Sequence, residues 1–560
     1  MKISNQFSPL LGDDILNKYN FFQLYPFDGG GNFVNGDILG SADDEEIVKS
    51  IIEKGALNVF GGYENIDFHK FDCWTNIERS SWINRLYFIV PLAKYAKLKG
   101  DKNIAETVIK IILDFGKNNW GPKTKEETIE YEEEVNSARK DYNAGTLKSD
   151  YINYQWYDFQ PASRIVHIIY ALYFLKSFLD KETENKINEL IWHHAEVINW
   201  GEEDMRHLAP GNHQALRGMA LLLACYYFAD YPKEWLETSR KVIDYHILND
   251  FLPDGMLLDI SPSYHFFESW VMRDAKIISE RMGFELSEMA MNRLEKAFDL
   301  CFALCQPDGF STVVSDGYPL NMNVFLKTLE TPKNEIKDKI KLEHTGFAIY
   351  RKDNDYLLFD CSDVDLGDSH LHGGKQSVTL FLDGKPFLCD SACCNYDDPK
   401  FESYYKHPFA HSSLLVNGEG DSRIKGKYTW VNSCKCSLGD WKDNSAESTL
   451  ISDMPEWKDV AWTRNIKMTQ KSCEICDSVK SSSKKEFSYI FNLHFNVKCE
   501  KINDTAILLT NDNVKVKAQF SCPVSIKDAL VCSDCKHIPS KQIICKTDMC
   551  NIKTVFSKDI

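Results

Sequence analysis

The segment Gly367-Asp368-Ser369-His370-Leu371-His372 sets two imidazoles one residue apart, and Asp390 and His411 follow at distances that hairpins can span. In an extended segment alternate side chains point to opposite faces, so one histidine can take a metal while the other faces a substrate. A His, Asp, His set offers the nitrogen and oxygen ligands that suit a zinc-like ion, and such an ion would staple the hairpins together. No compact ligand motif such as HExxH accompanies them, so three unrelated polar residues remain the plain alternative.

Two further polar clusters sit in apolar surroundings. Asn212 and His213 stand just before the helix-like run Ala215 to Phe228, where an asparagine commonly caps the helix. Donors at a helix start can instead face an anion, aided by the positive end of the helix dipole. In the second cluster Asp254-Gly255 marks a turn and Ser261-Pro262 a helix entry, which puts Tyr264 and His265 in the first helical turn. Most tyrosines are packing residues, but the adjacent turn and polar neighbours favour a cleft here. Asp308-Gly309 and Ser315-Asp316-Gly317 also carry carboxylates, although Asp-Gly is usually just a turn.

From about Glu45 to Phe325 apolar residues recur at helical spacing, as in Trp82 to Val90 and Ile165 to Leu172. Such segments, joined by short polar turns, suit helical hairpins closed into an α/α toroid or left as a solenoid. A polar stretch from Lys123 to Lys148 interrupts them and reads as a surface excursion. Lys327 to Glu343 is rich in Lys and Glu and is taken as the domain boundary. Beyond it the period becomes two: Phe347–Tyr350 and Tyr356–Phe359 form one expected hairpin, and Val378–Leu382 meets Pro386–Leu388 across Asp383-Gly384. The expected architecture is multidomain α+β, with a toroid over 1–330 followed by an antiparallel β-sandwich over 331–560.

The bulk properties narrow the classes. A chain of 560 residues exceeds one ordinary core, and 43% hydrophobic with 26% charged residues describes a globular protein. Its net charge of −17 argues against nucleic-acid or anionic-membrane partners, so a polyanionic ligand would need a local basic patch. The amino terminus lacks a secretory signal and no apolar run reaches membrane-spanning length, which gives a cytoplasmic expectation. The 18 cysteines are then expected to be reduced. Cys473-x-x-Cys476 and Cys532-x-x-Cys535 lie too far apart for paired zinc knuckles and read as thiols on strands.

Asn212-His213, the run from Asp254-Gly255 to Tyr264-His265, His370-x-His372, Leu388-Cys389-Asp390, and Tyr404-Tyr405 leading to Ala410-His411 follow the order seen in the heparinase II/III-like polysaccharide lyases. The chain resembles that family from about Trp74 to Gly418. Asp254-Gly255-Met256 and Ser261-Pro262-Ser263-Tyr264-His265 are most similar to the heparinase III branch. The resemblance implies a toroid, a β-sandwich and a cleft between them, and β-elimination across a 4-linked uronic acid. In it Asn212 and His213 would neutralise the uronate carboxylate, Tyr264 would be the catalytic tyrosine, and His370 would serve either as base or as the group setting the ionisation of Tyr264. Tyr405, or Tyr404, would add a hydroxyl, while Arg85, His265, Tyr404 and Lys406 would bind the sugar. His372, Asp390 and His411 would hold a structural zinc or similar ion, with no organic cofactor. An acidic oligosaccharide or polysaccharide is the implied partner, heparan type ahead of alginate, and homo-oligomerisation is left open.

Three departures stand out. Gly374 replaces an aspartate common in relatives, His411-Ser412-Ser413 replaces His-Asn-Thr, and Lys406-His407-Pro408 replaces Arg-Ser-Thr. They bear on metal retention and on selectivity. Two rivals remain: a glycoside hydrolase on the same toroid using Asp254 and Asp316, which would give saturated products, and an inactive carbohydrate-binding relative.

Overall fold

The structure, a computed structural model, describes residues 1–26, 33–34, 37–38, 44–45, 48–49, 56–59, 62–65, 84–143, 146, 154–203, 208–330, 332, 335–394, 396, 398–533 and 536–558. Trp74, Trp82, Ile83, Cys535 and the end of the Lys123–Lys148 stretch lie outside them. The chain forms two compact units. One comprises Met1–Phe251, Phe266–Glu295 and Val324–Glu330; the other comprises Leu252–His265, Lys296–Asn323 and Thr331–Ile560.

The first unit is helical. Ile89–Lys99, Lys102–Asn118, Gln160–Leu175, Lys181–Glu202, Asn212–Tyr227 and Lys233–Asn249 pack on one another along the chain. Caps set their limits: Asp101 accepts from the Asn103 and Ile104 amides, Asp180 accepts from Thr183, and Gly100 ends a helix in the left-handed conformation at φ 67°. Gln160–Leu175 is buried on nearly every face, so it lies inside the unit. Within the described part of that run, Asn84 is helical, residues 85–88 make a turn in which Leu86 is left-handed at φ 57°, and the next helix starts at Ile89.

The polar stretch after Lys123 is not an excursion; Lys125–Asn143 is a helix. Its Glu and Lys are good helix formers, and Thr128, Val135 and Ala138 bury one narrow stripe. Three small residues among so many charges leave too weak a period to read.

The second unit is built of antiparallel sheets. Five strands run in chain order from Lys339–Leu342 through Phe347–Lys352, Asp355–Asp360 and Ser377–Leu382 to Lys385–Leu388. Both expected hairpins are there, and Asp383 at φ 49° with Gly384 at φ 77° makes the tight turn of the second. An eight-stranded sheet and a four-stranded sheet complete the unit. Their inward residues, including Leu357, Leu380, Trp457, Trp462, Phe491 and Phe556, form one core.

Cys473 is buried and Cys476 exposed on the same strand, so the pair points to opposite faces and cannot share an ion. Cys522 and Cys545 form a disulfide, Cα to Cα 6.6 Å, which corrects the expectation of thiols throughout. Among the described residues no helix is long and apolar enough to cross a membrane.

Candidate active site

In the second unit a helix start positions Tyr264. Pro262 opens the helix Pro262–Met282. On either side of it Ser261 donates to the Asp316 carbonyl (2.6 Å), and Ser263 both donates to the Tyr318 carbonyl (3.0 Å) and accepts from its amide (2.7 Å). These buried hydroxyls fix the first helical turn to the segment carrying Asp316. Three neighbouring residues depart from ordinary backbone: Ile260 (φ 50°), Ser315 (φ 62°) and Ala392 (φ 66°) are left-handed, which is uncommon for a β-branched residue above all.

Asp316 is the centre of the group. It is fully buried; one carboxylate oxygen meets His372 Nε2 at 2.7 Å, and the other meets His370 Nδ1 at 3.0 Å and the Tyr396 hydroxyl at 3.2 Å. Burial alone would raise its pKa, but the Lys406 ammonium at 4.0 Å and the two imidazoles outweigh it and hold the carboxyl well below the usual range. The two histidines therefore converge on one carboxylate instead of facing opposite ways. The cause is local: residues 366–373 form turns and bends rather than a strand, so the alternation rule does not apply.

The Tyr264 hydroxyl shares a 2.6 Å hydrogen bond with that of Tyr396, which also lies 3.2 Å from His370 Nδ1. The Tyr264 and His370 rings lie 4.3 Å apart. His370 Nε2 faces Asp259 at 3.8 Å, and although burial pulls the ring's pKa down, Asp259 and Asp316 together leave it raised. Two phenols, an imidazole and a carboxylate thus form one hydrogen-bonded set that can hold or pass a proton at the Tyr264 oxygen. Tyr396 was not singled out from the sequence. It sits among Cys394, Asn395, Asp397 and Asp398, and its only signal was a tyrosine in a polar turn after Asp390.

His372, Asp390 and His411 come together, with one ligand atom of each within 4.8 Å of the others. His411 Nε2 donates to the Tyr405 carbonyl (2.8 Å), and its Nδ1 meets Asp390 at 2.9 Å. His372 gives its Nε2 to Asp316 and keeps a buried Nδ1 with no hydrogen-bond partner among the described residues. Burial lowers the His372 pKa to about 4, so the ring is neutral at pH 7, as a ligand must be. Outer acceptors that fix each ring's tautomer complete the arrangement expected around a metal, and the set fits a divalent ion. A Cβ on Gly374 (φ 80°) would lie 2.8 Å from His411 Cβ, so glycine is required there; Asp421 accepts its amide at 2.9 Å.

Other expected site residues are placed differently. The Tyr405 hydroxyl pairs with His537 Nδ1 (2.7 Å), itself held by Asp398 (2.9 Å). Tyr404 accepts from the Leu530 amide. Lys406 is fully buried, donates to the Ser369 and Lys427 carbonyls, and serves as counter-charge to Asp316. His265 is fully buried too, its ring held between the Leu257 amide and the Ala297 carbonyl. Asp254 accepts from the His344 and Thr345 amides and the Thr345 hydroxyl, so it is occupied as a turn anchor.

In the first unit Asn212 is the first residue of its helix. Gly211 holds the cap position, so Asn212 does not cap. Its largely buried amide makes no hydrogen bond among the described residues. His213 Nδ1 bonds Asp158 (2.6 Å), its ring lies 4.4 Å from Phe159, and the half-exposed side chain leaves Nε2 free to act. The Arg85 guanidinium covers the same Phe159 at 3.9 Å. Asp158, left-handed at φ 61°, also pairs with Arg139 at 3.6 Å.

Two family models match the chain: the heparinase II/III N-terminus over residues 41–339 and the heparinase II/III-like C-terminal domain over residues 336–554. A heparin-sulfate lyase of Bacteroides thetaiotaomicron is 18% identical over 409 residues, 62% of this chain. The chain matches 53% of that relative's length. Among solved structures, heparinase III aligns with 100% of this chain and 87% of its own at a TM-score of 0.70 and 14% identity. A heparan sulfate lyase of Pedobacter heparinus aligns over 92% of this chain and 82% of its own, at 0.58 and 15%. These likenesses show the fold: a helical toroid followed by an antiparallel β-sandwich.

Proposed function

Because the chain belongs to the heparinase II/III family, we propose that it is a polysaccharide lyase that cleaves 4-linked uronic-acid glycans by β-elimination. Heparan-type glycosaminoglycan is placed first, on the names of its relatives, and alginate second. The observation that carries the reading is the Tyr264–Tyr396–His370–Asp316 set, which places a phenol where a proton can be both taken and given.

In the reaction a base removes the C5 proton, the electron pair forms the C4–C5 double bond, and the C4–oxygen bond breaks as the leaving oxygen takes a proton. No water is consumed. The C5 proton is poorly acidic until the adjacent carboxylate is neutralised, a demand met by preorganised donors worth several kcal/mol. Asn212 and His213 are assigned that role, with Asp158 holding His213 so that Nε2 points outward. Tyr264 transfers the proton at its hydroxyl. His370, flanked by Asp259 and Asp316, is better suited to support a Tyr264 phenolate than to act as base itself. A zinc-like ion held by His372, Asp390 and His411 would brace the segment carrying His370.

The test is incubation with heparan sulfate, chondroitin sulfate, hyaluronan and alginate. The expected result is ultraviolet absorbance from a 4,5-unsaturated product. New reducing ends without absorbance would instead show hydrolysis, and binding without turnover a carbohydrate-binding protein. Asp158→Asn should lower kcat/KM about tenfold or more while the fold survives, because the acceptor that orients His213 loses its charge; Asp158→Glu should recover part of it. Unchanged kinetics in Asp158→Asn would remove His213 from the assignment.

A further inference from the structure

A second group of ligand-type residues lies wholly inside the helical unit. His246 stands in the last turn of Lys233–Asn249, Asp250 follows at the four-residue spacing that shares a helix face, and Glu268 comes from Pro262–Met282. All three are fully buried, and one ligand atom of each lies within 4.8 Å of the others.

Hydrogen bonds settle the state of the ring. Gln214 donates its amide nitrogen to Glu202 (2.5 Å), which turns its carbonyl oxygen toward His246 Nε2 at 3.0 Å. Nε2 therefore carries the hydrogen, and Nδ1 faces an Asp250 oxygen at 2.6 Å. Two bare acceptors at that distance repel, so positive charge must lie on the Nδ1 side. The other Asp250 oxygen is buried without a hydrogen bond among the described residues. A divalent ion beside a neutral ring supplies that charge and can also take the orphaned Asp250 oxygen and a Glu268 oxygen as ligands, which a single proton cannot do. The pattern repeats that of His411, whose Nε2 is taken by a carbonyl and whose Nδ1 meets a carboxylate.

We propose that His246, Asp250 and Glu268 bind a second divalent cation, of the zinc or manganese kind that one nitrogen and two carboxylates select. The ion would act on the helix start as well, since Asp250 accepts from the Gly211 amide at 3.2 Å, immediately before Asn212. This inference does not depend on the lyase reading, because its readout is metal content.

The test uses the full chain, stripped with chelator and titrated calorimetrically with zinc or manganese chloride. His372→Ala is expected to retain one equivalent, and Glu268→Gln to weaken that site at least tenfold. If His372→Ala binds no metal, or if the equivalent it binds is untouched by adding Glu268→Gln, the second site does not exist. Should Glu268→Gln fail to fold, the His372→Ala stoichiometry alone decides.

Discussion

Tyr264→Phe will lose about a hundred- to ten-thousandfold in kcat on the best uronate substrate, the range that a positioned proton-transfer group contributes. Its stability should change by only about 1 kcal/mol, because the deleted hydroxyl leaves Tyr396 still bonded to Asp316 and His370. Tyr396→Phe should cost less, since it removes the partner of the reacting hydroxyl and not the hydroxyl itself. Rates of product absorbance and a urea midpoint for each variant check both statements. Full activity in Tyr264→Phe would end the assignment of that phenol.

Asp316→Ala is expected to be the most destabilising single change near the site. It strands the fully buried Lys406 ammonium and removes the shared acceptor of His370 and His372. Breaking one side of a buried charge pair typically costs about 3–5 kcal/mol, a large share of the roughly 5–15 kcal/mol that holds a domain together. Denaturant unfolding of the second unit reads the effect. A loss below about 1 kcal/mol would mean that Lys406 finds water or another acceptor and that Asp316 is not the organising charge.

The broad fold was legible because long apolar runs such as Ile165–Leu172 give way to short β-branched and aromatic runs such as Phe347–Tyr350 set between polar turns, although both runs are buried at every position. Helix Lys125–Asn143 was not, since its buried stripe is only Thr128, Val135 and Ala138. Nor does composition reveal that Leu252–His265 and Lys296–Asn323 are compact with the C-terminal sheets. At the site, the metal-type set could be proposed because its residue types are chemically narrow. Asp316 was visible as half of an Asp-Gly turn or as one carboxylate of a rival hydrolase pair, and what makes it central is the convergence of three other segments, carrying His370, His372, Tyr396 and Lys406. Periodicity is a local signal and carries no information about such convergence. His265 shows the reverse: the resemblance implied contact with a sugar, while packing puts the ring in the interior.

The left-handed residues Ile260, Ser315 and Ala392 flank Asp259, Asp316 and Asp390, and Asp158 is left-handed itself. Each costs about 1–2 kcal/mol that glycine would avoid. Programmes that raise thermal tolerance by relaxing unfavourable torsions would select these positions first, and would thereby loosen the carboxylates beside them. Hardening of this protein is better directed to the outer helices and sheet edges, away from these carboxylates.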